Sequence, residues 1–301
     1  MQDKNGFGGK VDTGKTWLSS QSIGIQLLIW NTLVSSFCLA LLMATRLEPL
    51  VATIVISMGL PAVLIATKKV HFRRVRSMQL FLIESYFMFV AVLSMLAILA
   101  GTDQINRYVG YLFFIFFALQ TGGFVVDQIK RRSALGIAST IGGASAIFLW
   151  GITVAGSSAV IDHAGRFQMW GENAPALIQA IYVVWVIRVL LEGRPLPKGQ
   201  CEVPPKLTDL GAHLSSTAIA LLSGQFFFAR LLTASQLFLF DGVLQYTNRN
   251  FISSEFLMLD ESAQKRFQMS YQRRISHALF AIMVVLVAMS WRESLARLGF
   301  I

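Results

Sequence analysis

The chain has 301 residues, of which 54% are hydrophobic and only 14% charged, with a mean hydropathy of +0.59. Soluble domains carry roughly a quarter charged residues, so this composition excludes an ordinary soluble domain and makes lipid the expected solvent. The net charge of +10 is not read as a nucleic-acid footprint, because the basic residues gather in short segments beside apolar runs, which is how membrane topology is encoded; no specific nucleic-acid partner is expected.

Residues 1–21 are polar and hold Gly6, Gly8, Gly9 and Gly14. They read as a disordered cytoplasmic tail, not a signal peptide, since no apolar region begins before Ile23. Gly9, Gly14, Lys15 and Thr16 complete the string GxxxxGKT. That string cradles phosphate only between a strand and a helix, and here a membrane span follows it.

A spanning helix needs about 20 apolar residues, and six such segments are expected within 22–191. Ile23–Ala44 is the first; Asn31, Thr32, Ser35 and Ser36 form a polar patch at its centre, paired at i,i+4 spacing. The second, Leu50–Ala66, carries Gly59-Leu60-Pro61, where the missing proline donor predicts a kink. Lys68, Lys69, Arg73, Arg74 and Arg76 then run into the third, Met78–Ala100. Glu84 lies about two turns inside it, where a carboxylate is costly and calls for a partner. Tyr108–Val126 is the fourth, followed by Lys130, Arg131 and Arg132. Ala134–Ala155 is the fifth; Gly136, Thr140, Ala144 and Ala138, Gly142, Ala146 give small-residue ridges that let helices approach closely. Gly156–Glu172 is an external loop in which the adjacent Asp162 and His163 read as a solvated pair. Asn173-Ala174-Pro175 opens the sixth span, with Asn173 as its cap.

Residues 192–209 hold Pro195, Pro197, Pro204 and Pro205, a stiff cytoplasmic linker. The remainder, 210–301, is expected to be a long C-terminal helical pair. Leu210–Gln245 is too long for one span of ordinary length. A single crossing leaves Arg249, Lys265, Arg266, Arg273 and Arg274 outside and the C-terminus inside; a re-entrant hairpin keeps those five inside. Charge favours the hairpin, whereas the lack of a strong turn signal favours one crossing, which is the reading adopted. A second helix runs from Asp260 to Trp291, its first half basic and its second half, His277–Trp291, a short span.

The fold class expected is therefore all-α, a polytopic transmembrane bundle of about eight spans, or seven plus a re-entrant hairpin. With the N-terminus inside, the tail and the cytoplasmic loops of the first six spans hold 15 Lys and Arg and the external loops hold Arg46, Arg107 and Arg166, a strong inside-positive bias. That bias suits a bacterial-type inner (plasma) membrane, crossed many times.

Cys38 and Cys201 imply no disulfide framework. His71, His163, His213 and His277 are too scattered to suggest a metal site. No cofactor is expected, and neither HExxH nor a supported GxSxG occurs, so the chain does not read as an enzyme. Two functions remain. One is a non-catalytic subunit or scaffold of a larger membrane assembly, of secretion or conjugation type. It would bind the lipid bilayer and other membrane subunits or itself, with Lys265, Arg266, Arg273 and Arg274 meeting a partner or lipid headgroups. The other is an ion- or proton-coupled small-solute transporter or channel using Glu84, Asn31 and Ser35.

Overall fold

A computed structural model describes residues 23–67, 75–130, 133–154, 157–191, 207–244 and 273–301. The tail 1–21 lies outside these residues, as do most of the Pro-rich linker, Asp260, Lys265 and Arg266. The described residues form an all-α bundle of nine helices with one two-stranded hairpin. In chain order they are α1 (Ile23–Leu47), α2 (Pro49–Ile54, Val55–Gly59 and Leu60–Ala66 run together), α3 (Val75–Leu99), α4 (Asp103–Lys130), α5 (Ala134–Val154), β1 (Val160–Ile161), β2 (Phe167–Gln168), α6 (Ala176–Leu191), α7 (Leu207–Ser223), α8 (Phe226–Leu244) and α9 (Arg273–Arg297).

Among the described residues four helices are long and apolar enough to cross a membrane, over Gly24–Leu47, Asp103–Val126, Ala134–Val154 and Arg274–Arg297. That is half of the eight or so expected. The shorter apolar stretches are Pro49–Val63, Ser85–Leu99, Ala176–Val189, Leu210–Ser223 and Phe226–Phe240. In α2 the interruption has a visible cause. Pro61 has no N–H to give to the preceding turn, and residues Val55–Gly59 widen into a π-helical turn. Gln236 Nε2 donates to the Ile56 carbonyl at 3.2 Å, so α8 supports the widened turn.

A second cause, a chain reversal, corrects the single-crossing reading. Leu210–Gln245 is not one helix: it folds back at Gly224-Gln225 into the antiparallel pair α7 and α8. Gly224 adopts φ +68°, a left-handed conformation that glycine reaches without steric cost. Ser223-Gly224 is a turn dipeptide, and here it outweighs the surrounding apolar run. The two arms are about 26 and 29 Å long at 1.5 Å per residue, so each passes most of the way through the bundle.

Two contacts fix which end of the bundle α9 finishes at. Arg297 at the C-terminal end of α9 lies 3.7 Å from Glu172. At the other end, Arg188 Nη2 donates to Ser276 Oγ at 3.3 Å. Arg273 and Arg274 therefore share an end with the close of α6, and the chain finishes beside residues 157–175. The span read as His277–Trp291 belongs to a longer helix that starts at Arg273 and continues to Arg297.

Residues 157–175 cover one end of the bundle, called here the cap. β1 and β2 pair antiparallel, Val160 opposite Gln168 and Ile161 opposite Phe167. Asp162 Oδ1 accepts from the N–H groups of Ala164 and Arg166, and Oδ2 accepts from Arg166 Nε at 2.6 Å. The expected solvated Asp162–His163 pair is thus the start of a tight turn in which Asp162 pairs with Arg166. Phe167, Met169 and Trp170 of the cap are buried in the main apolar core.

That core is aromatic. Phe87 of α3 meets Phe113 and Phe116 of α4; Trp150 of α5 meets Trp170 at 5.4 Å and Phe227 of α8 at 5.8 Å; Tyr182 of α6 meets Phe226 and Phe227. Helix α8 supplies the centre, with Phe226, Phe227, Phe228, Ala229, Leu231 and Leu232 all buried. Of the ridges expected along α5, Thr140 accepts from Trp185 Nε1 of α6 at 3.2 Å, and a Cβ on Gly142 would stand 3.8 Å from Val287 of α9, an ordinary contact distance. A Cβ on Gly143 would stand 3.6 Å from Ile181 of α6 and 3.8 Å from Met283 of α9.

Candidate functional site

The α7–α8 hairpin carries a connected group of buried polar side chains in the bundle interior. Arg230 is 3% exposed and projects from the first turns of α8. Its Nη1 donates to Ser216 Oγ at 3.1 Å, and its Nη2 donates to His213 Nδ1 at 2.9 Å, both on α7. Its guanidinium therefore reaches away from the cap, toward the middle of the hairpin. A guanidinium can only donate, so His213 Nδ1 is the accepting nitrogen and the ring proton sits on Nε2.

The hydroxyls beyond Arg230 form an ordered relay. Thr233 Oγ1 donates to the Ala229 carbonyl at 2.7 Å. That uses its proton, so in the 2.6 Å contact between Ser216 Oγ and Thr233 Oγ1 the serine is the donor. Cys38 of α1 is fully buried in the adjoining apolar seam with Ala212 of α7 and Leu237 of α8. Tyr182 of α6 offers its ring face to the guanidinium, 6.0 Å from the centroid, within the range of a cation–π contact. Arg230 Nε has no hydrogen-bond partner, and no ion pair of the described residues involves Arg230.

The Asn31 patch divides. Asn31 and Ser35 are half-buried, whereas Thr32 and Ser36 face outward. Asn31 Oδ1 is buried without a hydrogen-bond partner and lies directly over Gly211 of α7, where a Cβ would collide with it. The same seam brings Val34 and Cys38 of α1 against Ala212 of α7 and Leu237 of α8. Asn31 is thus close to the hairpin that carries Arg230. Glu84 is on α3, but its side-chain surroundings lie outside the described residues. Arg273 opens α9 and Arg274 is exposed on it; with Lys265 and Arg266 outside the described residues, the basic partner-binding group is placed only in part.

The cap holds the hairpin tip by its polar groups. Gln225 Oε1 accepts from Phe167 N–H at 2.7 Å, and Gln168 Nε2 donates to the Gly224 carbonyl at 2.8 Å. Arg46 at the end of α1 donates to the Ser223 carbonyl. Asn173 Oδ1 accepts from Phe226 N–H at 2.8 Å. This last bond is a correction: Asn173 caps α8, not α6, because the hairpin tip presents its free N–H groups to the end of the cap segment that Asn173 occupies.

In the sequence Arg230 stands only as an interruption of one long apolar run. Its partners at 213, 216 and 233 fall at helical spacing on two arms, and that pattern becomes visible only once the turn at Gly224 is placed. Among the described residues no three His, Cys, Asp or Glu side chains come together. No family model, no curated protein and no solved structure matches the chain.

Proposed function

We propose that the chain is a non-catalytic, multi-pass subunit or scaffold of a larger assembly in a bacterial-type inner membrane, of secretion or conjugation type. The observation that carries this reading is the state of its axis. Helix α8 is packed by aromatic rings from α4, α5 and α6, and its tip is bonded to the cap. A centre held this way favours a rigid member of an assembly over a pump that must open alternately at both ends. In the same reading α1–α6 and α9 cross the membrane and α7 and α8 form a folded-back hairpin between them. The N-terminus and the basic loops face the cytoplasm, and the cap and C-terminus face outward.

Purification of the full chain from its own host in mild detergent tests the proposal. The expected result is a stable complex with other membrane proteins; elution as a lone monomer removes the reading. Reversal of Lys265, Arg266, Arg273 and Arg274 to Glu is expected to release a partner while insertion is kept. Reporters after Arg132 and Lys198 should be cytoplasmic, and reporters in Gly156–Glu172 and at the C-terminus external.

A transport reading draws on one observation, the unpaired buried oxygen of Asn31. It requires that Glu84→Gln abolish solute flux at normal membrane levels, and a silent Glu84→Gln variant removes it.

A further inference from the structure

We infer that the Arg230 cluster is a binding site for one small monovalent anion of chloride or formate size. Arg230 is all but inaccessible, and the adjoining hydroxyl residues Ser216 and Thr233 are 0% exposed. Its contacts with the Ser216 hydroxyl, the His213 imidazole and the Tyr182 ring are all with neutral groups. A guanidinium does not lose its proton in a protein, so it cannot escape the cost of burial by becoming neutral, as a lysine can. Neutral dipoles lessen that cost, but a charge in the interior of a membrane bundle calls for an opposite charge. Arg230 has no carboxylate partner among the described residues, and its Nε–H is left without an acceptor.

The neighbours also set the class of ligand. One positive charge asks for one negative charge. The donors are N–H groups in a fixed fork, which suit a halide or a small planar oxyanion. The approach is from the end away from the cap. The guanidinium points that way, His213 on that side is only half-buried, and Arg274, exposed in the first turn of α9, lies toward the same end. A positive surface raises the local concentration of anions.

Equilibrium dialysis with radioactive chloride tests the inference, using the full chain in phosphatidylcholine nanodiscs with ionic strength held constant by gluconate. The expected result is saturable uptake of one chloride per chain, displaced by nitrate or formate, and at least a tenfold loss of affinity in Arg230→Gln. Absence of saturable uptake by the unaltered chain overturns the site, as does unchanged uptake by a folded Arg230→Gln variant. If Arg230→Gln fails to fold, Arg230→Lys decides. A shorter, point-like cation is expected to bind chloride several-fold more weakly, and unchanged affinity places the ion elsewhere and overturns the assignment.

Discussion

Helices α8 and α9 are both apolar and both lie in the last third of the chain, yet they occupy opposite positions. Only 11% of the apolar window of α9 is buried, and Ile282, Val284, Val285 and Met289 are exposed along it. Helix α8 is enclosed on nearly every side, and within its buried stretch it carries Arg230, Thr233, Ser235 and Gln236. From Ala278 to Met289, α9 has no polar residue at all. In a membrane the helix with the longer uninterrupted apolar run is therefore the peripheral one. Lipid tails are as apolar as leucine, so burial from water does not sort helices within the bilayer. Packing and hydrogen bonds do, and they favour placing the helix with polar groups at the centre.

The largest effect should come from cutting into α8. Phe227 is 5% exposed and touches Trp150, Trp170 and Tyr182. Phe227→Ala is expected to cost about 3–5 kcal/mol, read from the unfolding midpoint in mixed detergent. Val285→Ala on α9, 58% exposed, should stay within about 0.5 kcal/mol. Equal losses would break the comparison.

Overpacking the seam between α1 and the hairpin comes next. Gly211→Ala drives a methyl into Asn31 Oδ1 and is expected to cost about 1–3 kcal/mol. Adding Asn31→Ala should recover most of that loss. A double variant no better than the single one would show that the clash is not with Asn31.

A smaller effect is expected at the hairpin tip. Asn173→Ala removes the acceptor for Phe226 N–H and should cost about 1 kcal/mol, whereas Asn173→Asp should be nearly neutral. If Asn173→Ala instead disturbs only α6, measured by cysteine accessibility along that helix, the assignment of Asn173 as the cap of α8 fails.

The smallest effect concerns the cap surface. Burial raises the Asp162 carboxyl, but the N–H groups of Arg166 and Ala164 and the Arg166 guanidinium outweigh it, and the net position is below the usual carboxylate range. A lowered folded value contributes stability above the unfolded value of about 3.9, and that contribution is lost as the pH falls through the folded value. Asp162→Asn should remove this acid sensitivity of the cap and cost less than about 1 kcal/mol at neutral pH, as partly exposed ion pairs do. Limited proteolysis of the 157–175 segment against pH is the measurement. An acid response that survives in Asp162→Asn assigns it to another group.

The helical class, most helix positions and an irregularity beside Pro61 were legible because apolar length and proline chemistry are local. The hairpin was not, although Ser223-Gly224 marks it. Apolar residues on both sides of Gly224 continue the helical pattern, and what stabilises the turn is Gln168 and Gln225 bonding across more than fifty residues of chain. Asn173 misled in the same way: a cap residue next to a proline suits the nearest helix, but the free N–H it serves comes from a distant one. The Arg230 cluster needed both corrections before its members could be seen together.

The socket for the hairpin tip has a temporal meaning. Gln168 and Asn173 precede Gly224 in the chain, so during synthesis the cap and six helices emerge before the segment that fills their middle. Until then the rings of Trp150, Trp170 and Tyr182 lack the Phe227 ring against which they pack. The α7–α8 pair then arrives folded back on itself and supplies that ring. The axis is thus filled after the first six helices, and the peripheral α9 is added last.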